Sequence, residues 1–488
     1  MRRPVALALD VGTSSVRALL VSAASGRVIR RHRVGGTRDG LRAVASEALL
    51  AEVDAALDAV EADLARAGER PLACGISLFW HSALLLDAKL RPLGPVRLWS
   101  DADPRFAEAA RRLRQRVDAQ GVRDAVGAPI HPSFPGVKAH ALLAELPRAE
   151  RRGVCLAGFE DVLALRLFGR LEKSLSMASG TGLWDGRRGR WHEAMVRAVG
   201  LAPGAMPAVA AADEEARVLA GEAAARWPHL AGVPWRLPRG DGALSNLGLG
   251  ATAAIAGLTV GTSAALRLLK PPPHAGDLPW ALFRYALDRE RPVVGGALSA
   301  GGNLVAHMAA LVGVRPAAAE ALVARLPVGA EGVLVLPGFW GERSPGWPDE
   351  ARGGVVGLRA DTAPAVVVRA AMDAVGAGLG AVADALDQAF GPQAVARVRA
   401  GGGAIARSPA LAQIAADAIG RPLDIVAGAE ESSALGAAQL ALALGRAGTA
   451  PTGRVVATFE PAAGGRQAYR ELARRQEAAR ELVAGRRV

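Results

Sequence analysis

The chain has 488 residues, and 51% of them are hydrophobic. This length predicts two domains, which we place at residues 1–245 and 246–488, and the apolar content excludes wholesale disorder. The net charge of +12 does not indicate nucleic-acid binding, because the basic residues are dispersed and only 4% of the chain is aromatic. We therefore expect small-molecule partners and no nucleic acid.

The sequence indicates a cytoplasmic enzyme. We find no run of 18 uncharged apolar residues, and Met1-Arg2-Arg3-Pro4 leads directly into an apolar, strand-like stretch. Cys74 and Cys155 stand far apart, which excludes a disulfide framework and a zinc knuckle. We expect neither a membrane span nor a signal peptide.

Strand-like and helix-like segments alternate, which predicts an α/β fold. An antiparallel meander is predicted first, followed by a helix, a buried strand and an Arg-rich surface helix. Their predicted bounds are Val5–Leu9, Val16–Val21, Arg27–Arg33, Leu41–Ala67, Pro71–Phe79 and Phe106–Ala119. Gly and Pro residues over 235–250 indicate the domain junction. In the second half we predict a strand and four helices, at Leu258–Val260, Pro364–Phe390, Ser408–Ile419, Ser432–Leu444 and Arg466–Val488.

One loop occurs twice, once in each half. Gly12-Thr13-Ser14 and Gly261-Thr262-Ser263 each stand between two apolar runs, which predicts a strand, a tight turn and a second strand. Glycine permits close approach of a ligand, and hydroxyls with neighbouring N–H groups can hold phosphate oxygens. The repeat suggests a phosphate chain held by two related domains.

Two carboxylates accompany these loops. Asp10 ends a buried strand directly before the first loop, and Asp241 lies between Gly240 and Gly242 at the predicted junction. Together they suggest phosphoryl transfer, with Asp10 anchoring Mg²⁺ through water and Asp241 taking the proton of an attacking hydroxyl. The alternatives are a strand-end cap for Asp10 and an ordinary Asp-Gly turn for Asp241.

These residues resemble the FGGY carbohydrate kinases over nearly the whole chain. Five segments carry the resemblance: 10–15, 240–243, 259–263, 401–409 and 430–438. It implies two ribonuclease-H-like domains, as in actin and Hsp70, closing over ATP-Mg²⁺ and a sugar. Asp241 would be the catalytic base and Asp10 the metal-linked residue. The residues implied to bind ATP are Gly12, Thr13, Ser14, Gly261, Thr262, Ser263, Gly402, Gly403, Ala404 and Ser408.

The gluconate kinase branch is the most similar part of that family. The similar segments are Phe79-Trp80-His81-Ser82, residues 127–132 with Lys138, and residues 177–185. They imply D-gluconate as substrate, held by Trp80, His81, Asp241 and Lys138, with 6-phosphogluconate as product. A sugar acid needs a cation for its carboxylate, and His81, His131 and Lys138 are candidates. Each histidine has the alternative of a purely structural role.

One departure leaves the substrate open. The family pattern at residues 99–103 is Trp-x-Asp-x-Arg, but this chain has Asp103 where the pattern has Arg. Either Arg105 replaces that Arg or the sugar contact has changed. A kinase for xylulose, ribulose, glycerol or erythritol is therefore an alternative. A non-catalytic sugar or nucleotide sensor is another, which the retained Asp10, Asp241 and both loops disfavour. The sequence does not decide the oligomeric state, and a homodimer is one possibility.

Overall fold

A computed structural model describes residues 4–36, 42–202, 204–211, 216–274, 276–392, 394–447 and 453–484. These residues form two compact units. The first unit comprises Met1–Gly248, Arg284–Val293 and Glu431–Thr452, and the second comprises Leu249–Phe283, Val294–Glu430 and Gly453–Val488. The domain boundary predicted at 245/246 stays a prediction.

The described residues contain strands and helices throughout. The strands are β1 Val5–Val11, β2 Val16–Ser22, β3 Val28–Val34, β4 Ala43–Val44, β5 Cys74–Leu78, β6 Leu84–Leu86, β7 Val96–Arg97, β8 Cys155–Ala157, β9 Glu172–Lys173, β10 Trp184–Asp185, β11 Arg190–Trp191, β12 Ala208–Val209, β13 Ala216–Arg217, β14 Trp235–Arg236, β15 Arg239–Gly240, β16 Ile255–Val260, β17 Ala264–Leu269, β18 Phe283–Ala286, β19 Pro292–Leu298, β20 Leu334–Pro337, β21 Gly353–Val356, β22 Arg397–Gly401, β23 Leu423–Val426 and β24 Val455–Phe459. The helices are α1 Ser46–Ala67, α2 Pro104–Arg114, α3 Ala119–Val126, α4 Pro135–Glu145, α5 Phe159–Phe168, α6 Leu175–Ser179, α7 Glu193–Val199, α8 Gly221–Arg226, α9 Asp241–Gly248, α10 Gly302–Leu311, α11 Pro316–Val323, α12 Pro364–Phe390, α13 Pro409–Ile419, α14 Ser432–Leu444 and α15 Gly465–Ala484.

The main sheet of the first unit has the strand order β13-β14-β5-β1-β2-β3, with β15 also paired to β5. Strands β1, β2 and β3 form the predicted antiparallel meander, which is confirmed. Strands β14 and β15 run parallel to β5, and β5 runs parallel to β1. Every residue of β1 and β5 is buried, as is typical of strands covered on both faces.

Helices cover this sheet. Helix α1 packs on β2 and β3, while α14 packs on β1, β5 and α9. At Gly75 the backbone of β5 lies very close to the backbone of α14: a Cβ atom on Gly75 would stand 2.2 Å from the carbonyl oxygen of Ala437. Glycine is therefore required at this point of a strand that otherwise favours larger side chains.

The main sheet of the second unit contains the strand order β19-β17-β16-β22-β23-β24. Strands β16 and β17 form an antiparallel hairpin, and β22 lies parallel to β16. Thus each unit has a hairpin whose first strand pairs in parallel with a later strand. Helix α12 packs on α10, α13, α15 and β17 and supplies much of this unit's core.

Helix α12 is long and apolar enough to cross a membrane by length and composition. Its most apolar window is 83% buried inside the protein, as expected of the core helix it forms here. Its bounds, Pro364–Phe390, and those of α14, Ser432–Leu444, confirm the predicted helices. Pro364 at the first helical position and Gly391 after the end are the signals that set the bounds of α12.

The predicted helix over 106–119 is wrong in its extent. Helix α2 begins at Pro104, where the Asp103 side chain caps it, and ends at Arg114. A separate helix, α3, begins at Ala119 because the Asp118 carboxylate accepts the N–H of Gly121. The caps at Asp103 and Asp118 therefore start two separate helices in a segment whose composition predicts one.

Two other predicted bounds fall on residues that the structure does not describe. Helix α1 begins at Ser46, after the short strand β4, whereas we predicted a start at Leu41, which lies outside the described residues. The end of the tail helix predicted to Val488 also lies outside them, and the described part, α15, reaches Ala484. The segment 235–250, where the Gly and Pro content predicts the domain junction, contains β14, β15 and α9.

Gly75→Ala is expected to lower the free energy of unfolding by about 1–3 kcal/mol, because the added methyl group overlaps the backbone of α14. Chemical denaturation measures this change. Gly94→Ala is the control, since a Cβ there meets nothing within 4 Å. Equal stability of the two variants would contradict the close contact of β5 with α14.

Candidate active site

Asp10 lies at the edge of the first sheet where three parallel strands end. It stands opposite Ser77 of β5, and Ser77 stands opposite Arg239 of β15. Asp10 is buried, and its Oδ2 accepts a hydrogen bond of 2.5 Å from Nη2 of Arg17 across the hairpin. The carboxyl ends of parallel strands are where α/β sheets bind ligands.

The first predicted phosphate loop follows β1 directly. The N–H of Gly12 donates to the carbonyl of Ser15 at 3.0 Å, which closes the turn. A Cβ on Gly12 would stand 3.2 Å from that same carbonyl oxygen. The predicted strand, tight turn and strand are thus confirmed, and Thr13 and Ser14 lie in the turn between β1 and β2.

Trp80 and His81 follow the end of β5. The Trp80 indole N–H donates to the carbonyl of Ser176 at 3.0 Å. The ring is packed against two glycines: a Cβ on Gly180 would lie 2.9 Å from it, and a Cβ on Gly240 would lie 1.9 Å from it. Trp80 therefore rests on the backbone that immediately precedes Asp241.

His81 has a left-handed backbone, with φ of 65°. Such conformations are uncommon for residues other than glycine and cluster at functional sites. Its Nδ1 lies 2.7 Å from the carbonyl oxygen of Gly180, which fixes the ring. Helix α6 and the glycine after it therefore hold both Trp80 and His81.

Two further aromatic rings complete this cluster. Tyr285 lies 5.0 Å from Trp80 and 5.5 Å from His81, between ring centroids, and Phe134 lies 5.1 Å from His81. Sequence reasoning missed both rings. No local pattern marks Tyr285, which stands in the other half of the chain and joins the first unit only through the fold.

Asp241 is the first residue of α9, so the alternative of an ordinary Asp-Gly turn is wrong. Its Oδ1 accepts the N–H of Gly242 at 2.7 Å, and its carbonyl accepts the hydroxyl of Ser433 at 3.3 Å. The preceding N–H, of Gly240, donates to Oγ of Ser176 at 3.1 Å. Ser176 thus connects the backbone before Asp241 with Trp80.

Lys138 and Arg105 both lie near the ring of Phe106 in the first unit. Lys138 is fully buried, and its Nζ donates to the carbonyl of Ser133 at 3.0 Å. Arg105 is exposed, and its guanidinium binds Asp103 at 2.8 Å and pairs with Glu145. Both cations lie 5.8 Å from the Phe106 ring centroid.

The hydrogen bond from Arg105 is the main cause that holds the pKa of Asp103 below its usual value. His131 accepts the N–H of Ser133 through Nδ1 at 3.2 Å. A sugar contact for Arg105, His131 or Lys138 stays a prediction.

In the second unit, the second predicted phosphate loop joins two other turns. The N–H of Gly261 donates to the carbonyl of Ser263 at 3.0 Å, which closes the loop. The N–H of Gly302 donates to the carbonyl of Gly261 at 2.8 Å, and that of Asn303 donates to the carbonyl of Thr262 at 3.2 Å. The first turn of α10 is therefore attached to this loop.

The Gly402–Ala404 turn follows β22 and meets the same backbone. Gly402 has φ of 101°, which favours glycine, and the N–H of Ala404 donates to the carbonyl of Val260 at 3.0 Å. A Cβ on Gly302 would stand 2.7 Å from the Cβ of Ala404. Three glycine-bearing turns thus meet at the start of α10, and helix N-termini favour anions.

Sequence reasoning missed the Gly301-Gly302 pair. The signal was present, because two glycines directly precede an apolar helical run. Ser408 caps α13, as predicted: its Oγ accepts the N–H of Leu411 and donates to Oε2 of Glu320 at 2.8 Å. A contact of Ser408 with ATP stays a prediction.

The chain belongs to the FGGY family of carbohydrate kinases. Residues 5–248 match the N-terminal domain of this family, and residues 256–444 match its C-terminal domain. The protein is therefore a carbohydrate kinase, a transferase that uses ATP as its phosphoryl donor. The two-domain α/β fold predicted from the motifs is confirmed.

Several curated relatives match most of the chain. A gluconokinase of Bacillus subtilis (strain 168) is 28% identical over 89% of this chain and 86% of its own length. A xylulose kinase of Escherichia coli (strain K12) is 33% identical over 76% of this chain and 75% of its own length. In fold, the chain is similar to a gluconate kinase from Lactobacillus acidophilus, with a TM-score of 0.85, 21% identity and 99% coverage of both chains.

Gly240→Ala is expected to displace Trp80, because a methyl group cannot occupy the space of the indole. We expect the KM for the sugar to rise about 10-fold or more, since core overpacking costs about 1–3 kcal/mol. Steady-state kinetics with the sugar varied measures this effect. Gly186→Ala is the matched control, because its Cβ would meet only the Ala125 carbonyl, at 3.9 Å. An unchanged KM in Gly240→Ala would show that sugar binding does not depend on the position of Trp80.

Proposed function

We propose that this protein transfers the γ-phosphoryl group of ATP to the primary hydroxyl of a sugar acid, with D-gluconate as substrate and 6-phosphogluconate as product. One observation carries the proposal: the backbone of Gly240, directly before Asp241, is packed against the ring of Trp80 and donates its N–H to Ser176, whose carbonyl accepts the N–H of that ring. A carboxylate and a sugar-binding surface are thereby held as one body. The gluconokinase relatives support gluconate as the sugar.

Asp241 is proposed as the general base. Its carboxylate accepts the proton of the attacking hydroxyl as the oxygen–phosphorus bond forms, and the leaving group is ADP. Such a base contributes about 10²–10⁴-fold to the rate. Trp80 and His81 orient the sugar, since positioning of the reacting hydroxyl supplies much of the remaining acceleration.

ATP is assigned to turns in each unit. In the second unit, Gly261, Thr262 and Ser263 contact phosphates, and Gly402, Gly403 and Ala404 lie against the adenosine, near Ser408. The support is the joining of these turns at the first N–H groups of α10. In the first unit, Gly12, Thr13 and Ser14 contact phosphate oxygens next to Asp10.

Asp10 is suited to bind Mg²⁺ indirectly, through a water molecule that the ion keeps as a ligand. Among the described residues, no group of three or more His, Cys, Asp or Glu side chains could hold a metal ion alone. Mg²⁺ usually keeps several waters and is bound by one or two carboxylates and substrate phosphates, which agrees with the single carboxylate here. When bound, the ion would neutralise phosphate charge.

A xylulose kinase is the second candidate. The observation that favours it is the 33% identity to the Escherichia coli xylulose kinase. Xylulose carries no carboxylate, so a cation in the sugar site would contribute little to its binding. The two candidates therefore differ in whether the sugar site must bind a negatively charged carboxylate.

Asp241→Asn is expected to lower kcat by about 10²–10⁴-fold, because the amide cannot accept the proton. A coupled ADP-release assay measures the rate, and isothermal titration with ATP measures nucleotide binding, which we expect to be unchanged. Asp87→Asn is the control, as another Asp of the same unit, whose carboxylate accepts hydrogen bonds from Arg91. Near-normal turnover by Asp241→Asn would remove Asp241 from the role of base.

A substrate panel of gluconate, xylulose, ribulose, glycerol and erythritol is expected to give the highest kcat/KM with gluconate. The ADP-release assay with purified protein measures each ratio. A higher ratio for xylulose would replace the proposed substrate by the second candidate. Sugar binding without ADP release from any member would favour a non-catalytic sensor.

A further inference from the structure

A cluster of charged side chains is buried in the first unit. It consists of Glu160 and Asp161, which lie in the first turn of α5, and Lys173, which ends β9. All three residues are 4% exposed or less. Nζ of Lys173 lies 3.0 Å from Oε1 of Glu160 and 2.9 Å from Oδ2 of Asp161. We call these three residues the Lys173 cluster.

The Lys173 cluster holds two carboxylates for one ammonium group. Burial would lower the pKa of Lys173, but Asp161 and Glu160 raise it above its ordinary value, so the ammonium stays charged. Burial raises the pKa of Asp161, while Lys173 opposes this effect and Glu160 adds to it. Oδ2 of Asp161 accepts the N–H of Gly158 at 2.7 Å, whereas its Oδ1 is buried without a partner among the described groups. Asp161 is therefore the acid that holds a proton more readily, which favours Glu160 as the ionised partner of Lys173.

The two oxygens of Glu160 bind two different segments of the chain. Oε1 binds Lys173, and Oε2 accepts the hydroxyl of Ser82 at 3.3 Å. The hydroxyl oxygen of Ser82 in turn accepts the N–H of Phe159 at 3.0 Å. Ser82 is the residue after His81, whose backbone is left-handed. Glu160 thus connects the segment after β5 with the end of β9.

The end of β9 leads directly into α6, which binds parts of the proposed sugar site. Ser174 caps α6 and donates its hydroxyl to the carbonyl of Pro238 at 2.6 Å. Within α6, Ser176 accepts the indole N–H of Trp80 and the backbone N–H of Gly240. The position of β9 therefore sets the position of the helix that holds Trp80 and β15.

We propose that Glu160 is a positioning residue of the sugar site: its carboxylate, paired with Lys173, fixes the Trp80-His81-Ser82 segment relative to α6. The inference rests on the proposed function, in which Trp80 and His81 orient the sugar. A buried ion pair contributes little net stability, because desolvation offsets the attraction of its charges. Hydrogen bonds between charged groups do restrict distance and angle. The cluster therefore acts on the geometry of the site more than on the stability of the fold.

Glu160→Met tests this role, because it removes the carboxylate, keeps a side chain of similar length and leaves Lys173 paired with Asp161. We expect the KM for the sugar to rise about 10-fold or more, as for loss of a hydrogen bond to a charged group. The KM for ATP should change less than about 2-fold, because ATP is assigned to other turns. The melting temperature should change little, since one carboxylate still balances Lys173. The ADP-release assay, with the best sugar of the panel varied, and thermal denaturation measure these quantities.

Glu172→Met is the matched control. Glu172 is the neighbouring residue in β9 and is also buried, but its two carboxylate oxygens bind Arg217 of β13, at 2.5 and 2.6 Å. This variant should lower the melting temperature, because Arg217 loses its carboxylate, and should leave the KM for the sugar within about 2-fold. Glu160→Gln is the conservative variant: it keeps one acceptor oxygen and should recover part of the KM lost in Glu160→Met.

Ser82→Ala tests the connection by a second route and decides if Glu160→Met fails to fold. It removes the hydroxyl that Glu160 accepts and leaves the Lys173 cluster in place. The KM for the sugar should rise in this variant too. The double variant with Glu160→Met should raise it no further than the larger single effect, because both changes break the same connection. Multiplied effects in the double variant would contradict an action of Glu160 through Ser82.

Three further results would overturn the inference. A rise in KM in Glu160→Met that comes with a loss of melting temperature as large as that of Glu172→Met would assign Glu160 a structural role. An unchanged KM in Glu160→Met and Ser82→Ala, with a raised KM in Gly240→Ala, would reject the positioning role and leave Trp80 in the proposed function. An unchanged KM in all three variants would reject the sugar role of Trp80 and the inference with it.

Isothermal titration covers a protein that binds a sugar without turnover. The Kd for that sugar then takes the place of the KM, with the same expected changes in each variant. A Kd that rises in Glu160→Met and not in Glu172→Met would support the positioning role and reject the proposed reaction. A wild type that neither binds nor phosphorylates any sugar of the panel would reject both.

Discussion

Parallel pairing of β1 with β5, and of β5 with β15, brings three strand ends to one edge of the first sheet. Chain segments that follow these ends must then lie side by side, however far apart they are in sequence. The first phosphate loop follows β1, the Trp80-His81 pair follows β5, and Asp241 follows β15. The candidate sugar site is a direct consequence of this geometry.

The second unit repeats the same arrangement with different residues at the strand ends. Its hairpin, β16 and β17, carries the second phosphate loop, and the parallel strand β22 ends at the Gly402–Ala404 turn. Where the first unit places large aromatic rings after the parallel strand, the second places glycines, and α10 begins against them. The same topology thus carries aromatic rings at the strand ends of one unit and glycine turns at those of the other.

Glycine sets the positions of the functional groups because it permits contacts that a methyl group would prevent. Gly180 and Gly240 allow the indole of Trp80 to lie on backbone, and Gly302 allows α10 to reach the Gly261 loop. Close backbone packing therefore holds Trp80 in the first unit and the start of α10 in the second.

The sequence by itself determined the features that depend on near neighbours. Both Gly-Thr-Ser turns, the bounds of α12 and the cap at Ser408 follow from residues a few positions away, which is why they could be predicted. The family, and with it the two-domain fold, followed from motifs in order along the chain. Only the tertiary structure decided that Asp241 begins a helix, that Tyr285 joins Trp80 and His81, and that Gly302 meets Gly261. These contacts join residues far apart in the chain, and no local pattern encodes a distance that the packing of whole strands and helices sets.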